Sequence, residues 1–221
     1  MRSIVIVGMG SFGELVDAYL SADPQFKVIA FSGTDTFLSP DVTHFKGRPV
    51  VRFSKLSEEF DTMTTEVFVA VGYRKMNTVR KELCASLRSF GFKLLTYIHP
   101  SVTSFTTNKV GENVFVFEDN TIQPFVTIGD GVILWSGNHI GHHSTIEDWV
   151  FVSSQAVVSG HCQIGKNSFL GVNSTIADNV HVEEFNLIGP SALVQKNTKP
   201  HEVWLADKAK RFPKPSSSFF K

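Results

Sequence analysis

From Val110 onward the apolar positions recur in sixes. Val110, Val116, Ile122, Ile128, Leu134, Ile140, Ile146, Val152, Val158, Ile164, Leu170, Ile176, Val182, Ile188 and Val194 are all Val, Ile or Leu. If those types fill roughly a fifth to a quarter of ordinary positions, chance agreement is on the order of one in a billion. Glycine follows the aliphatic residue at Gly111, Gly129, Gly141, Gly165, Gly171 and Gly189. Three places after it stands Asn113, Asp119, Gly131, Gly137, Asn167, Asn173, Asn179 or Asn197, types that tolerate left-handed backbone. A period of six with this punctuation predicts a parallel β-helix in which three hexads close one triangular coil of about 18 residues. The fifteen hexads then supply about five coils, with each aliphatic side chain pointing into the prism.

The first 97 residues follow a different pattern, of strands alternating with helices. Ile4-Val5-Ile6-Val7 is a doubly buried strand, and it runs into Gly8-Met9-Gly10-Ser11-Phe12-Gly13 and a helix through about Leu20. Strand, G-x-G-x-x-G and helix together form a phosphate cradle: the glycines admit a ligand's backbone-close approach and the helix N-terminus offers free N–H groups. The alternative is that these glycines only permit close helix–strand packing. A second strand over 27–31 ends in Ser32-Gly33-Thr34-Asp35, without an acid at the strand end where a dinucleotide's ribose is held, which disfavours NAD. A third stretch, Pro49-Val50-Val51, precedes a short helix, and a fourth, Val67 to Val71, ends in Gly72-Tyr73-Arg74-Lys75. The following helix, through about Phe90, places Val79, Leu83 and Leu87 on one stripe. Gly72, Tyr73, Arg74 and Lys75 fall outside the carboxyl ends of parallel strands, where ligands bind. There Tyr73 suits base stacking, and Arg74 and Arg80 suit a diphosphate; solvated helix-start charges are the competing reading.

The domains expected are therefore 1–97 α/β, 98–198 β-helix and 199–221 a capping tail. The α/β half is expected to cap the N-terminal end of the solenoid. Lys199 to Leu205 should fold back over the other end, and Phe212 to Ser218 should fray. Prisms of this kind bury their flat faces by forming homotrimers.

Composition narrows the function. Lysine plus arginine (21) balance aspartate plus glutamate (21), so no net basic field favours nucleic acid or acidic lipid. No apolar run approaches the roughly 20 residues that cross a bilayer, and no signal peptide is evident. Two cysteines, Cys84 and Cys162, suit a reducing, cytoplasmic setting.

Counting by 18 sorts the histidines of Asn138-His139-Ile140-Gly141-His142-His143. His143 holds a turn position and stacks between Phe125 and His161. His142 stacks between Pro124 and Gly160, and the bare glycine leaves a notch for a ligand. His142 can thus serve as a general base. In a second reading the His143–His161 ladder, joined by His139 or His142 of a neighbouring chain, binds zinc; in a third these side chains only fill turns.

The two halves together resemble sugar acyltransferases that join a Rossmann-like N-terminal domain to a left-handed β-helix. Among them are bacterial enzymes that acetylate the 4-amino group of nucleotide-linked 4-amino-4,6-dideoxy sugars of the bacillosamine, viosamine and perosamine types. The likeness covers nearly the whole chain and is strongest over 138–147 and 159–173. It implies acetyl-CoA as cosubstrate, no metal, a nucleotide-linked amino sugar as acceptor and a homotrimer. It implies that His142 accepts the proton of the attacking amine. Gly160 and Val172 are expected to hold the pantetheine, and Lys208 and Lys210 the CoA phosphates. The sugar nucleotide is expected around Gly10, Ser11, Phe12, Gly13, Gly72, Tyr73, Arg74 and Lys75, with Asn138 as a further substrate contact. Three positions depart from the family pattern. His143 stands where relatives carry an acid that orients the base, leaving Glu147 or Asn138 for that task. Phe151 replaces a second histidine, and 206–210 read Ala-Asp-Lys-Ala-Lys in place of Gly-x-Pro-Ala-Lys. The rival functions are a sugar O-acetyltransferase, a non-catalytic sugar-nucleotide-binding trimer and a metal-dependent, carbonic-anhydrase-like protein.

Overall fold

A computed structural model describes residues 1–39 and 41–218. The last three residues of the expected tail, 219–221, lie outside the described residues.

The N-terminal half is an open sheet with helices on it. Its elements are β1 (Arg2–Val7), α1 (Ser11–Ala22), β2 (Phe26–Gly33), β3 (His44–Phe45), β4 (Arg48–Arg52), α2 (Leu56–Glu59), β5 (Thr65–Val69), α3 (Thr78–Ser89) and β6 (Lys93–Leu94). The strand order is β3-β4-β2-β1-β5-β6, with every pair parallel except β3 on β4. Ile4, Val5, Ile6 and Val7 are buried on both faces, as a continuous β-branched strand at the sheet centre requires. The chain builds outward from β1 in one direction through β2 and β4, then restarts on its other side with β5. A crevice opens at that reversal.

The second half is a three-sided prism. Each aliphatic of the six-residue series ends a two-residue strand, from Lys109–Val110 to Leu193–Val194. Strands 18 residues apart pair in parallel, for example His139 with Thr121 and Val157. The aliphatics fill the core. The corner position is left-handed at every hexad from Asn113 (φ 53°) to Ser191 (φ 58°), whichever residue occupies it. Several of the corner residues that are neither glycine, asparagine nor aspartate stack on a neighbour 18 or 16 residues away: His143 on His161 at 4.9 Å, and Phe185 on His201 at 4.9 Å. Such contacts offset a conformational cost of roughly 1–2 kcal/mol per residue.

How the halves join differs from the expectation. The α/β half lies along one flank of the prism rather than capping its end. Phe115, Ile133, Phe151 and Phe169 precede inward-pointing aliphatics and so face outward, forming an apolar stripe several coils long. Phe115, Ile133 and Phe151 share one core with Ile4, Ile6, Phe31 and Phe68 of the sheet. Polar ties fix the seam: Asn113 Oδ1 accepts from Val69 N (2.8 Å), and Asn167 Nδ2 donates to Met76 O (2.9 Å). The buried stripe of α3 is Arg80, Cys84 and Leu87, one residue later than the pattern of Val79 and Leu83 suggests. Val102 packs on the prism core near the first coil, and Trp204 and Ala206 pack on it at the last. The strand Val203–Trp204 adds a final rung beside Leu187–Ile188.

Candidate active site

Two uncovered prism faces meet at the corner carrying His142. Ile140 ends one face and Thr145 opens the next, while the third face lies under the α/β half. Gly141 lets successive coils touch there, since a Cβ would lie 2.4 Å from the Ser159 carbonyl carbon. Gln123 Oε1 accepts from the His142 backbone N (2.9 Å), and Ser144 Oγ donates to Ser159 O (2.9 Å), fixing the turn above and below.

The His142 ring occupies the space that a side chain at Gly160 would take. A Cβ there would sit 2.9 Å from its Cε1 and 3.0 Å from its Nε2. The same point is 3.0 Å from Asp178 Oδ1, so this carboxylate and Nε2 flank the bare Cα no more than about 6 Å apart, the sum of the two distances. His142 Nδ1 lies 3.1 Å from His143 Nδ1. His143 is in turn clamped between Phe125 (4.7 Å) and His161 (4.9 Å, planes 13° apart). All three histidines are exposed.

One hydrogen bond between two Nδ1 atoms decides a tautomer. When His142 Nδ1–H donates to His143 Nδ1, the His142 Nε2 keeps a free lone pair facing the notch, which is the state a general base needs. His143 therefore sits where an orienting residue belongs. The two residues expected to orient His142 are engaged elsewhere. Asn138 is buried, with Nδ2 donating to Trp135 O and Oδ1 accepting from Ala156 N (2.8 Å), which also removes it from contact with substrate. Glu147 accepts from Gln163 Nε2 and from Lys166 N (3.2 Å). His139 faces out from a sheet, away from the cluster of His142, His143 and His161, whose nitrogens lie within 4.8 Å of one another in a single chain. Asp178 went unnoticed in the sequence, although it is the next residue of the same 18-residue stack. Cys162 is buried, its Sγ donating to Ala177 O (3.0 Å), and burial pushes its pKa up, so it is no nucleophile.

A cavity of about 730 Å³ fills the crevice of the α/β half. Gly8 (φ 127°) and Gly13 serve packing: Cβ atoms would lie 2.5 Å from Ala70 O and 2.0 Å from Gly8 O. Gly10 has open space around it and faces this cavity with Ser11. Phe12 lines it as well, but mainly meets Phe68, Phe115, Phe117 and Trp135 in the seam. Tyr73, 58% exposed, rests edge-on against Phe151 and Phe169, and the Arg74 guanidinium lies 5.6 Å from the Phe37 ring centre. Val79 and Leu83 form part of the wall. Lys75 is exposed at the rim of this loop. Arg80, assigned above to a diphosphate, is instead fully buried. It donates to the carbonyls of Gly131 (3.0 Å), Val71 (2.9 Å) and Gly72 (3.1 Å), and burial lowers its pKa to about 10. It clamps the two halves together.

Val172 is exposed on the prism, with its carbonyl accepting from Ser191 N (2.8 Å). Lys208 and Lys210 are exposed in the tail. Phe151, in place of the family's second histidine, is buried in the seam and does not reach His142. Among the described residues, no helix is long and apolar enough to cross a membrane.

Solved structures share this architecture. PerB from Caulobacter crescentus, in complex with CoA and GDP-perosamine, is 25% identical, with a TM-score of 0.77 over 90% of this chain and 91% of that one. A histidine-to-asparagine variant of perosamine N-acetyltransferase from the same organism, with the same ligands, gives 23% and 0.81 over 94% and 98%. The acetyltransferase domain of PglB from Neisseria gonorrhoeae FA1090, with acetyl coenzyme A, gives 24% and 0.78 over 91% and 95%. No curated protein matches the sequence. Residues 93–203, just over half the chain, match the family described as the GMPPB C-terminal domain, and the chain belongs to that family.

Proposed function

We propose that this protein is an acyltransferase that moves the acetyl group of acetyl-CoA to the 4-amino group of a nucleotide-linked 4-amino-4,6-dideoxy sugar. The observation that carries the reading is the seating of the exposed His142 ring over Gly160, with Nδ1 against His143 and Nε2 beside the bare glycine. The likeness to PerB, solved with CoA and GDP-perosamine, supports both ligand classes.

The acceptor amine, unprotonated, attacks the thioester carbonyl. A C–N bond forms and the C–S bond breaks; the proton leaves nitrogen for His142 Nε2 and passes on to the departing CoA thiolate. General-base help of this kind is worth ~10²–10⁴-fold. The Gly160 N–H is the proposed oxyanion donor, a role worth ~10²–10³-fold. Gly160 and the exposed strip at Val172 would take the pantetheine, and Lys208 and Lys210 the CoA phosphates. The nucleotide would occupy the cavity at Gly10 and Ser11, with Gly72, Tyr73, Arg74 and Lys75 along its edge.

The placement of the two sites supports assembly. The cavity opens from the half that covers one prism face, whereas His142 sits on the opposite corner between the two bare faces. A homotrimer brings the cavity of one copy toward the corner of the next and buries exposed apolar side chains such as Val157 and Leu193. The deciding experiment is thiol release from acetyl-CoA against a panel of UDP-, dTDP- and GDP-linked 4-amino-4,6-dideoxy sugars and their 4-hydroxy counterparts. Turnover of one amino sugar is the expected result. Thiol release with hydroxyl acceptors alone, or with none, overturns it.

A further inference from the structure

We infer that His142, His143 and His161 form a site for a divalent transition-metal ion whose occupation turns the base off. The ion is an inhibitor here, not a cofactor. The binding rests on geometry alone; the inhibition rests on the acetyl-transfer reading above.

Two nitrogens bound about 2.0–2.1 Å from a tetrahedral zinc lie roughly 3.3 Å apart. The Nδ1 atoms of His142 and His143 already stand 3.1 Å apart. Each of the three histidines offers a nitrogen within 4.8 Å of one from the other two, and the exposed His161 ring closes the set by turning out of its stack on His143, from which it now lies 13° off parallel. His142 meets both rings edge to face, 5.3 Å from His143 and 5.0 Å from His161, so the three converge from two directions rather than forming one flat ladder. Imidazole is a ligand suited to zinc, nickel and copper, and a fourth position stays open to water.

The same atoms explain why occupation and catalysis exclude each other. A base needs the proton of neutral His142 on Nδ1, shared with His143, and the lone pair on Nε2. A metal on Nδ1 takes the place of that proton and leaves the ring protonated on Nε2, the opposite tautomer. Metal-bound histidines usually donate this second N–H to a carboxylate, carbonyl or water. Asp178, across the bare glycine from Nε2, is placed to receive it through a bridging water. The notch that exposes the base therefore also offers the metal-bound ring an outer partner.

The test titrates chelator-stripped protein with Zn²⁺ by calorimetry, and with Co²⁺ by visible absorption. One ion per chain should bind, with a tetrahedral cobalt spectrum. In His161→Asn, binding should weaken at least tenfold; asparagine suits the left-handed backbone at this corner (φ 54°), so the fold is retained. Whatever rate this variant shows in chelator, it should keep that rate at a Zn²⁺ concentration that inhibits the parent protein. Absence of stoichiometric Zn²⁺ binding, or equal binding by His161→Asn, overturns the site. Full occupancy with undiminished turnover overturns the switch. If no acceptor in the panel is acetylated, the isotherms still decide the site, so the two readings fail separately.

Discussion

The prism and the α/β half place their functional groups by different means. In the prism a side chain's neighbours stand 18 residues before and after it, so His142 meets Pro124 and Gly160 wherever the rest of the protein lies. In the α/β half the surroundings depend on docking: Arg80 finds its acceptor at Gly131 O, 51 residues away on the prism flank. The proposed function thus assigns the chemistry to the part whose geometry is local and repeated, and recognition to the part whose geometry depends on the seam.

Substitutions can pull these two contributions apart. The largest effect is expected from His142→Ala, which should lower kcat at least about a hundredfold while leaving the melting temperature and acetyl-CoA affinity near those of the parent. Similar turnover in the variant would remove His142 from its role. Arg80→Met should act oppositely. It leaves the carbonyls of Val71, Gly72 and Gly131 unpaired in the seam, which should cost about 2–4 kcal/mol in denaturant unfolding. Its residual folded fraction should still consume acetyl-CoA; unchanged stability would show that the clamp is idle. Gly160→Ala should give the smallest change, about a tenfold loss of kcat. The new methyl meets the His142 ring at 2.9–3.0 Å and displaces it, in a backbone conformation that alanine accepts, so stability should hardly move. Full activity in Gly160→Ala would mean that the notch is not where the base works.

Much of this was legible in the sequence for a physical reason. The six-residue period reports a backbone constraint repeated fifteen times, so strands, inward residues and the neighbours of His143 follow by counting. Corner occupants such as Trp149 and Gln155 lack the asparagine or glycine signature; their left-handed backbone shows only by position in the series. What the pattern could not show was contact across the chain. Phe115, Phe151 and Phe169 mark the covered flank, but apolar residues outside the inward series suit a subunit interface equally well. Arg80 looked like an anion ligand because its carbonyl partners carry no sequence signal. The pairing of His142 with His143 depends on rotamers, and the place of Asp178 was available by adding 36 to 142.

The most direct test of the central claim, that the base and the sugar-nucleotide cavity act from different copies of the chain, is complementation. His142→Ala supplies an intact cavity, and Gly10→Phe supplies an intact base with its cavity filled; Gly10 has open space for the new ring. Each alone should be nearly inactive. Co-expressed at equal levels and assembled at random, the pair should recover about a quarter of parental turnover, because one interface in four joins an intact cavity to an intact base. Activity no greater than the mean of the two variants alone would contradict the account and place both functions within a single chain.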